Sequence, residues 1–332
     1  MKLQLKRFKD KHMEIKKSEI KAWGRLGTRA TFGLAILKLA EENQDFYVVS
    51  ADLAKSSGLD RFTNKYPDMM INAGIAEQNM IGMAAGLAKD GTPVFATSFA
   101  PFISMRASEQ IRMNMGYMGL NIKAVGLGSG LAMTTLGASH YGLEDVSVMR
   151  TIPGMTILSP ADTLETAKCV EAAKNHKGPV YIRLTGSPEN KPVYTEDYEY
   201  EIGKSIVLRP GDDIVIVAAG TMVFFALQTA GLLAEKGIEA KVINMHTIKP
   251  LDEKMLDDIA DAKLLVTMEE HTTIGGMGSA VAEYYAGKEV RPKHLLLGIP
   301  DVYPHAGSYH YLLEQCGLMP EQMAEKIIQN MG

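Results

Sequence analysis

The residue in this sequence best placed for acid–base chemistry is a glutamate heading a helix of small residues. In AEQNMIGMAAGLA (76–88), Glu77 opens a helical pattern that carries Gly82, Ala84, Ala85, Gly86 and Ala88. By spacing alone, Glu77 is a first-turn glutamate favoured by the helix dipole. The small residues add a second possibility, because they let another element or another chain approach closely and bury the head of the helix. Burial raises the pKa of a carboxylate and makes it a candidate acid or base. Phe99 and Phe102 stand three apart in TSFAPF at the end of a strand-like run. Such a pair either fills core or forms a flat wall against an aromatic heterocycle. His140 lies beside Ser139 in a glycine-rich loop ahead of a helical pattern. A helix N-terminus disfavours imidazolium and would leave a neutral ring able to exchange protons near neutral pH.

Other patterns carry less. GLGSG (126–130) has the glycines of a nucleotide fingerprint, but no helix opens directly after it and no acidic residue stands at the required distance. The glycines of IGGMGS (274–279) suit tight packing of a small-residue helix, and GDD at 211–213 reads as a turn. Eight histidines are scattered without metal-ligand spacing. Two cysteines, Cys169 and Cys316, lie far apart, which fits a reducing cytoplasm and gives no disulfide framework or zinc site.

The elements that must hold these residues alternate between strand and helix. FYVVSADL (46–53), TPVFATSF (92–99), NIKAVGLG (121–128), MTILSPAD and GPVYIRLTG read as strands. Between them, 76–88, ASEQIRMNM, LEDVSVMRTI and TLETAKCVEAAKN read as helices. This is the grammar of a mostly parallel sheet covered on both faces, in which ligands bind at the carboxyl ends of the strands. After the polar connector SPENKPVYTEDYEYEIGKS (187–205) the grammar restarts, with strands in GDDIVIVAAG, EAKVINM and KLLVTMEE and helices in ALQTAGLLAEKG and LDEKMLDDIADA. The expected organisation is an N-terminal arm at 1–17, an α/β domain at 18–190, a linker at 191–204 and a second doubly wound α/β domain at 205–332.

Bulk composition agrees. The chain of 332 residues is long enough for two cores, with 46% hydrophobic and 22% charged residues and a net charge of −4. Nothing in that balance invites nucleic acid or an anionic membrane. No apolar run approaches the roughly 18 residues of a membrane span. The basic opening MKLQLKRFKDKHMEIKKSEIK contains Asp10, Glu14 and Glu19, unlike a transit peptide, and reads as a solvated helix or an arm against a partner.

Taken together and in order, SADLAKS, NAGIAEQNMIGMAAGLA, TSFAPF with ASEQIR, SHYGLEDVSVMRTIPGMTILSPAD, GPVYIRL, VINMHTIKPLD and EEHTTIGGMGSAVAE resemble the transketolase family. The similarity runs from about residue 18 to the end and covers the family's pyrimidine-binding and C-terminal domains. The resemblance implies thiamine diphosphate as cofactor, with Glu77 at N1′ of its aminopyrimidine, where it favours the imino form that deprotonates the thiazolium. It implies Phe99 and Phe102 as the pyrimidine wall and Asp52 as an aspartate near the cofactor. It places Arg29 and Ser56 where transketolases hold a sugar phosphate, and His140 where a histidine contacts substrate hydroxyls. The family's GDG…N motif, which holds the diphosphate and Mg²⁺, does not occur in the sequence. The implied arrangement is therefore a heteromer, α2β2, with a partner subunit carrying that motif and sugars as substrates.

Departures fall in the substrate loop. TTLG (134–137) replaces an acidic stretch and puts Leu136 where an aspartate would read a hydroxyl; Gly128 stands for a histidine and Gly186 for a phosphate-binding arginine. Arg183 lies too early in its strand to be assumed a substitute. These changes predict a less phosphorylated or larger acceptor. The leading expectation is two-carbon ketol transfer, or an acyloin synthesis related to that of deoxyxylulose-phosphate synthase. Alternatives are the β subunit of a 2-oxo acid dehydrogenase and a subunit that kept the fold only for assembly.

Overall fold

The computed structural model describes residues 13, 15–186 and 190–331. The expected arm at 1–17 lies almost wholly outside them. Twelve strands are present among the described residues: β1 Tyr47–Ser50, β2 Met70–Asn72, β3 Val94–Phe99, β4 Ile122–Ser129, β5 Thr156–Leu158, β6 Val180–Thr185, β7 Ile206–Arg209, β8 Ile214–Ala218, β9 Ala240–Asn244, β10 Thr247–Lys249, β11 Leu264–Thr272 and β12 Lys293–Ile299. They form a seven-stranded sheet, in the order β10-β5-β6-β4-β3-β1-β2, and a five-stranded sheet, in the order β12-β11-β8-β9-β7. Every pairing is parallel except β10 with β5 and β7 with β9. The fold is α/β with two mostly parallel sheets covered by helices, as the alternating pattern required.

β3, β4 and β6 are buried along almost their whole length, which is why they read as continuous apolar runs. On one face of the larger sheet the helix Gly27–Glu42 contributes Phe32 to a cluster with Phe46, Phe62 and Phe95, in which Phe46 and Phe95 meet edge to face at 5.8 Å. The helix Thr163–Asn175 lies beside it, capped by Asp162, whose Oδ1 accepts the Glu165 amide. The same carboxylate's Oδ2 accepts the amides of Val193 and Tyr194, so the connector is strapped onto this helix.

One feature departs from two self-contained halves. β10, from the second half of the chain, runs antiparallel along β5 and completes the edge of the first sheet. The helix in LDEKMLDDIADA covers only Glu253–Asp258. No helix among the described residues is long and apolar enough to cross a membrane.

In the larger sheet, β1 has β2 on one side and β3 on the other. The chain reverses its winding there, which opens a crevice at the carboxyl ends of β1 and β3.

Candidate active site

Glu77, Phe99, Phe102 and His140 come together in one cluster at that crevice. Glu77 is the first residue of the helix Glu77–Leu87 and is 2% exposed. The Ser98 hydroxyl, from β3, donates to its Oε1 at 3.0 Å, and Arg106 Nη1 donates to its Oε2 at 2.8 Å. Burial was expected; a cationic partner within the same chain was not. Arg106 also lies over the Phe102 ring, 4.3 Å from its centroid, so one guanidinium joins the carboxylate to the aromatic wall.

Phe99, the last residue of β3, and Phe102 meet edge to face at 6.0 Å. The His140 ring sits against both, at 5.7 Å from Phe99 and 5.1 Å from Phe102. Its Nδ1 is 2.9 Å from the Ser139 hydroxyl. The helix-dipole argument for His140 fails: the next helix begins at Asp145, and its own segment is a turn. The setting of His140 is made by aromatic rings instead.

Asp52 is exposed just past β1, with φ 58. Asn72, at the end of β2, stabilises this left-handed backbone by receiving the Asp52 amide at 3.1 Å and donating to its carboxylate at 2.9 Å.

Arg29 and Ser56 line a second cleft, with Lys55 and Gly186. The Arg29 guanidinium reaches the thioether of Met133, 3.9 Å away, and burial pushes its pKa down. A Cβ on Gly128 would fall 2.5 Å from the Met133 sulfur, so Met133 fills the space a side chain at 128 would take. Leu136 is half exposed. Arg183 is excluded as a substrate ligand. Its Nε donates to both Asp145 oxygens at 3.0 and 2.9 Å, and its Nη2 to the carbonyls of Gly142 and Glu270.

The GLGSG glycines serve close packing. A Cβ on Gly126 would lie 2.2 Å from the Tyr181 hydroxyl, and one on Gly130 would lie 2.3 Å from the Glu270 carboxylate. Those of IGGMGS do the same: a Cβ on Gly276 would lie 2.2 Å from the Glu269 carboxylate, and that carboxylate receives the amides of Met277 and Gly278 at the head of the next helix.

Sequence reasoning missed Arg106, Ser98, Asn72 and Met133. Arg106 carried one signal, a position four residues beyond Phe102, where a cation reaches back over a ring on a helical turn.

The residues present fit the aminopyrimidine end of a thiamine cofactor. A buried, hydrogen-bonded carboxylate stands beside an aromatic wall at the mouth of a parallel sheet.

Comparison with known proteins gives the same direction. Family models match residues 25–187 (transketolase, pyrimidine-binding domain) and 203–323 (transketolase, C-terminal domain). A putative transketolase C-terminal section from Methanocaldococcus jannaschii is 40% identical, over 92% of this chain and 96% of that protein. A 6-deoxy-6-sulfo-D-fructose transketolase subunit from a Clostridium species is 38% identical, over 89% of this chain and 91% of that protein. Among solved structures, a split-gene transketolase, an inactive β4 tetramer, matches with a TM-score of 0.84 at 38% identity, covering 92% of this chain and 98% of that one.

Proposed function

The chain belongs to the transketolase family, and we propose that it is one half of a heteromeric, thiamine-diphosphate-dependent enzyme moving a two-carbon ketol unit from a ketose to an aldehyde. The observation that carries this reading is Glu77, buried at a strand-to-helix junction and joined through Arg106 to the Phe102 ring.

When bound, thiamine diphosphate stabilises negative charge on the transferred fragment. The chain's own residues would then have separate tasks. Glu77 holds a proton at N1′ of the aminopyrimidine. Its Oε2 already receives Arg106, but a carboxylate oxygen has a second lone pair, so N1′ can be received without expelling the arginine. Phe99 and Phe102 present an apolar wall to the pyrimidine ring and exclude water from it. His140, held against both rings, presents its imidazole to substrate hydroxyls. Asp52 faces the cofactor from its strained turn, and Arg29 with Ser56 faces the distal end of the sugar.

In this reading the diphosphate and Mg²⁺ fall to a partner subunit with a GDG…N motif, in an α2β2 assembly within the cytoplasm. Support for a partner lies beside Glu77. Gln78, Asn79, Gly82 and Gly86 leave one face of its helix exposed, and Ile75, Met105 and Tyr117 are 79%, 51% and 82% exposed nearby.

The test is coexpression with a GDG…N-bearing chain, followed by assay against ketose donors and aldehyde acceptors. Glu77→Ala is expected to lower kcat of the complex by at least about 10²-fold. Full activity in that variant would remove Glu77 from the chemistry.

A further inference from the structure

The loop that leads from β4 to His140 carries a side chain to which the proposed chemistry gives no task, the thioether of Met133. The backbone around it is pinned on both sides. Gly130 and Gly142 exchange amide-to-carbonyl hydrogen bonds at 2.8 and 3.1 Å, and the Leu131 amide donates to Glu270 Oε1 at 2.7 Å. The Thr134 amide donates to the Leu131 carbonyl at 2.9 Å, and the buried Tyr141 donates its hydroxyl to the Thr134 carbonyl at 2.8 Å. Met133 therefore sits in a fixed turn, although its side chain is of a pliable type.

A glycine sets where that side chain lies. Gly128 has φ +61, and a Cβ on it would stand 2.5 Å from the Met133 sulfur and 3.9 Å from the Phe99 ring. The thioether thus takes the space beside Gly128, next to the aromatic wall. The same sulfur is 3.9 Å from Arg29 Nη1. Met133 bridges the two ends of the site, from Phe99 to Arg29, and is only half-buried. A thioether donates no hydrogen bond and accepts only weakly. Leu136, 50% exposed in the same loop, offers no donor either.

We propose that Met133 is a specificity-determining residue that selects an aldehyde acceptor lacking a hydroxyl at its second or third carbon, as in a deoxy sugar. The inference rests on the proposed function, in which the reacting carbon lies at Phe99 and His140 and the sugar extends toward Arg29. The second and third carbons are the next along that path and cross the thioether. A hydroxyl pressed against the sulfur gives up water without a replacement, at about ten- to a hundredfold in affinity. A methylene there keeps its full contact and leaves nothing unpaired.

The test uses the complex reconstituted with a GDG…N-bearing chain and two pairs of acceptors, a 2-deoxy and a 3-deoxy aldose, each against its parent sugar. Wild type is expected to favour at least one deoxy member in kcat/KM by about tenfold or more. Met133→Gln keeps the length of the side chain and adds a donor and an acceptor, and is expected to lower that ratio about tenfold. Met133→Leu is expected to retain it, which separates the reading of hydroxyls from mere filling of space. A second readout needs no turnover. The Met133 methyl resonance, identified by its loss in Met133→Leu, is expected to shift when the favoured deoxy sugar is titrated into the complex. Ratios that Met133→Gln leaves unchanged overturn the proposal, as does a Met133 methyl indifferent to a sugar that the complex turns over. A complex inactive on every sugar overturns the functional reading, and the role of Met133 with it.

Discussion

Glu77 and Asp145 are both buried carboxylates, 2% and 1% exposed, each facing an arginine, yet their surroundings differ in kind. Asp145 receives Arg183 on both oxygens and the Tyr181 hydroxyl at 2.7 Å; that arginine is itself 3% exposed and tied to two carbonyls. Both Asp145 oxygens, Arg183 Nε and Nη2 and the Tyr181 hydroxyl are engaged, and the group binds the first half of the chain to Glu270 and His271 of the second. Glu77 instead faces an arginine whose side chain is 48% exposed and rests on an aromatic ring. The first arrangement is closed on both partners. The second is closed around Glu77 and open around Arg106.

The sharpest way to break this contrast is to remove each arginine in turn. Arg183→Leu leaves the Asp145 carboxyl buried without its partner, and is expected to cost about 3–5 kcal/mol of unfolding free energy, read by urea denaturation. A loss below about 1 kcal/mol would mean that the network is not closed.

An intermediate effect is expected from pH. Burial pushes the carboxyls of Glu269 and Glu270 up to about 7 from an ordinary 4.5. The native state keeps these protons after the unfolded chain has released them. The stability they contribute is therefore present below pH 4.5 and lost as pH rises through about 7. His271, lowered to about 4 from 6.5 by burial, acts in the opposite sense, and its contribution is lost as pH falls. Glu270→Gln is expected to flatten the decline of stability with rising pH by up to about 1.4 kcal/mol per pH unit between the two Glu270 values. Urea midpoints at several pH values read this; parallel curves for wild type and variant would refute it.

The smallest effect belongs to the open site. Arg106→Ala removes a half-exposed arginine and its ring contact but leaves Glu77 buried with the Ser98 hydroxyl still donating, and is expected to cost about 1–2 kcal/mol. A cost matching that of Arg183→Leu would erase the distinction between the two regions.

Much of this arrangement was legible because it is local. The helix at 77–87 follows from its run of small and apolar residues, and Phe99 from its place at the end of a β-rich run. What escaped depends on distant partners. Arg106 lies 29 residues from Glu77, so no spacing rule connects them. The Asp145–Arg183 pair spans 38 residues and needs the finished sheet to exist. β10 is only three residues long and is stabilised by β5 rather than by its own propensity. His140 was misjudged because its neighbours in sequence suggested a helix end, whereas its neighbours in space are two phenylalanine rings.

The antiparallel strand β10 bears on how such proteins can be recombined. Cutting in the connector would detach Thr247–Lys249 from the sheet that they border and leave β5 as a bare edge, open to pairing with other chains. A chimera that borrows the pyrimidine-binding half from a relative must therefore also carry a compatible β10 from the far side of the junction. The two halves are inherited most safely as a single unit.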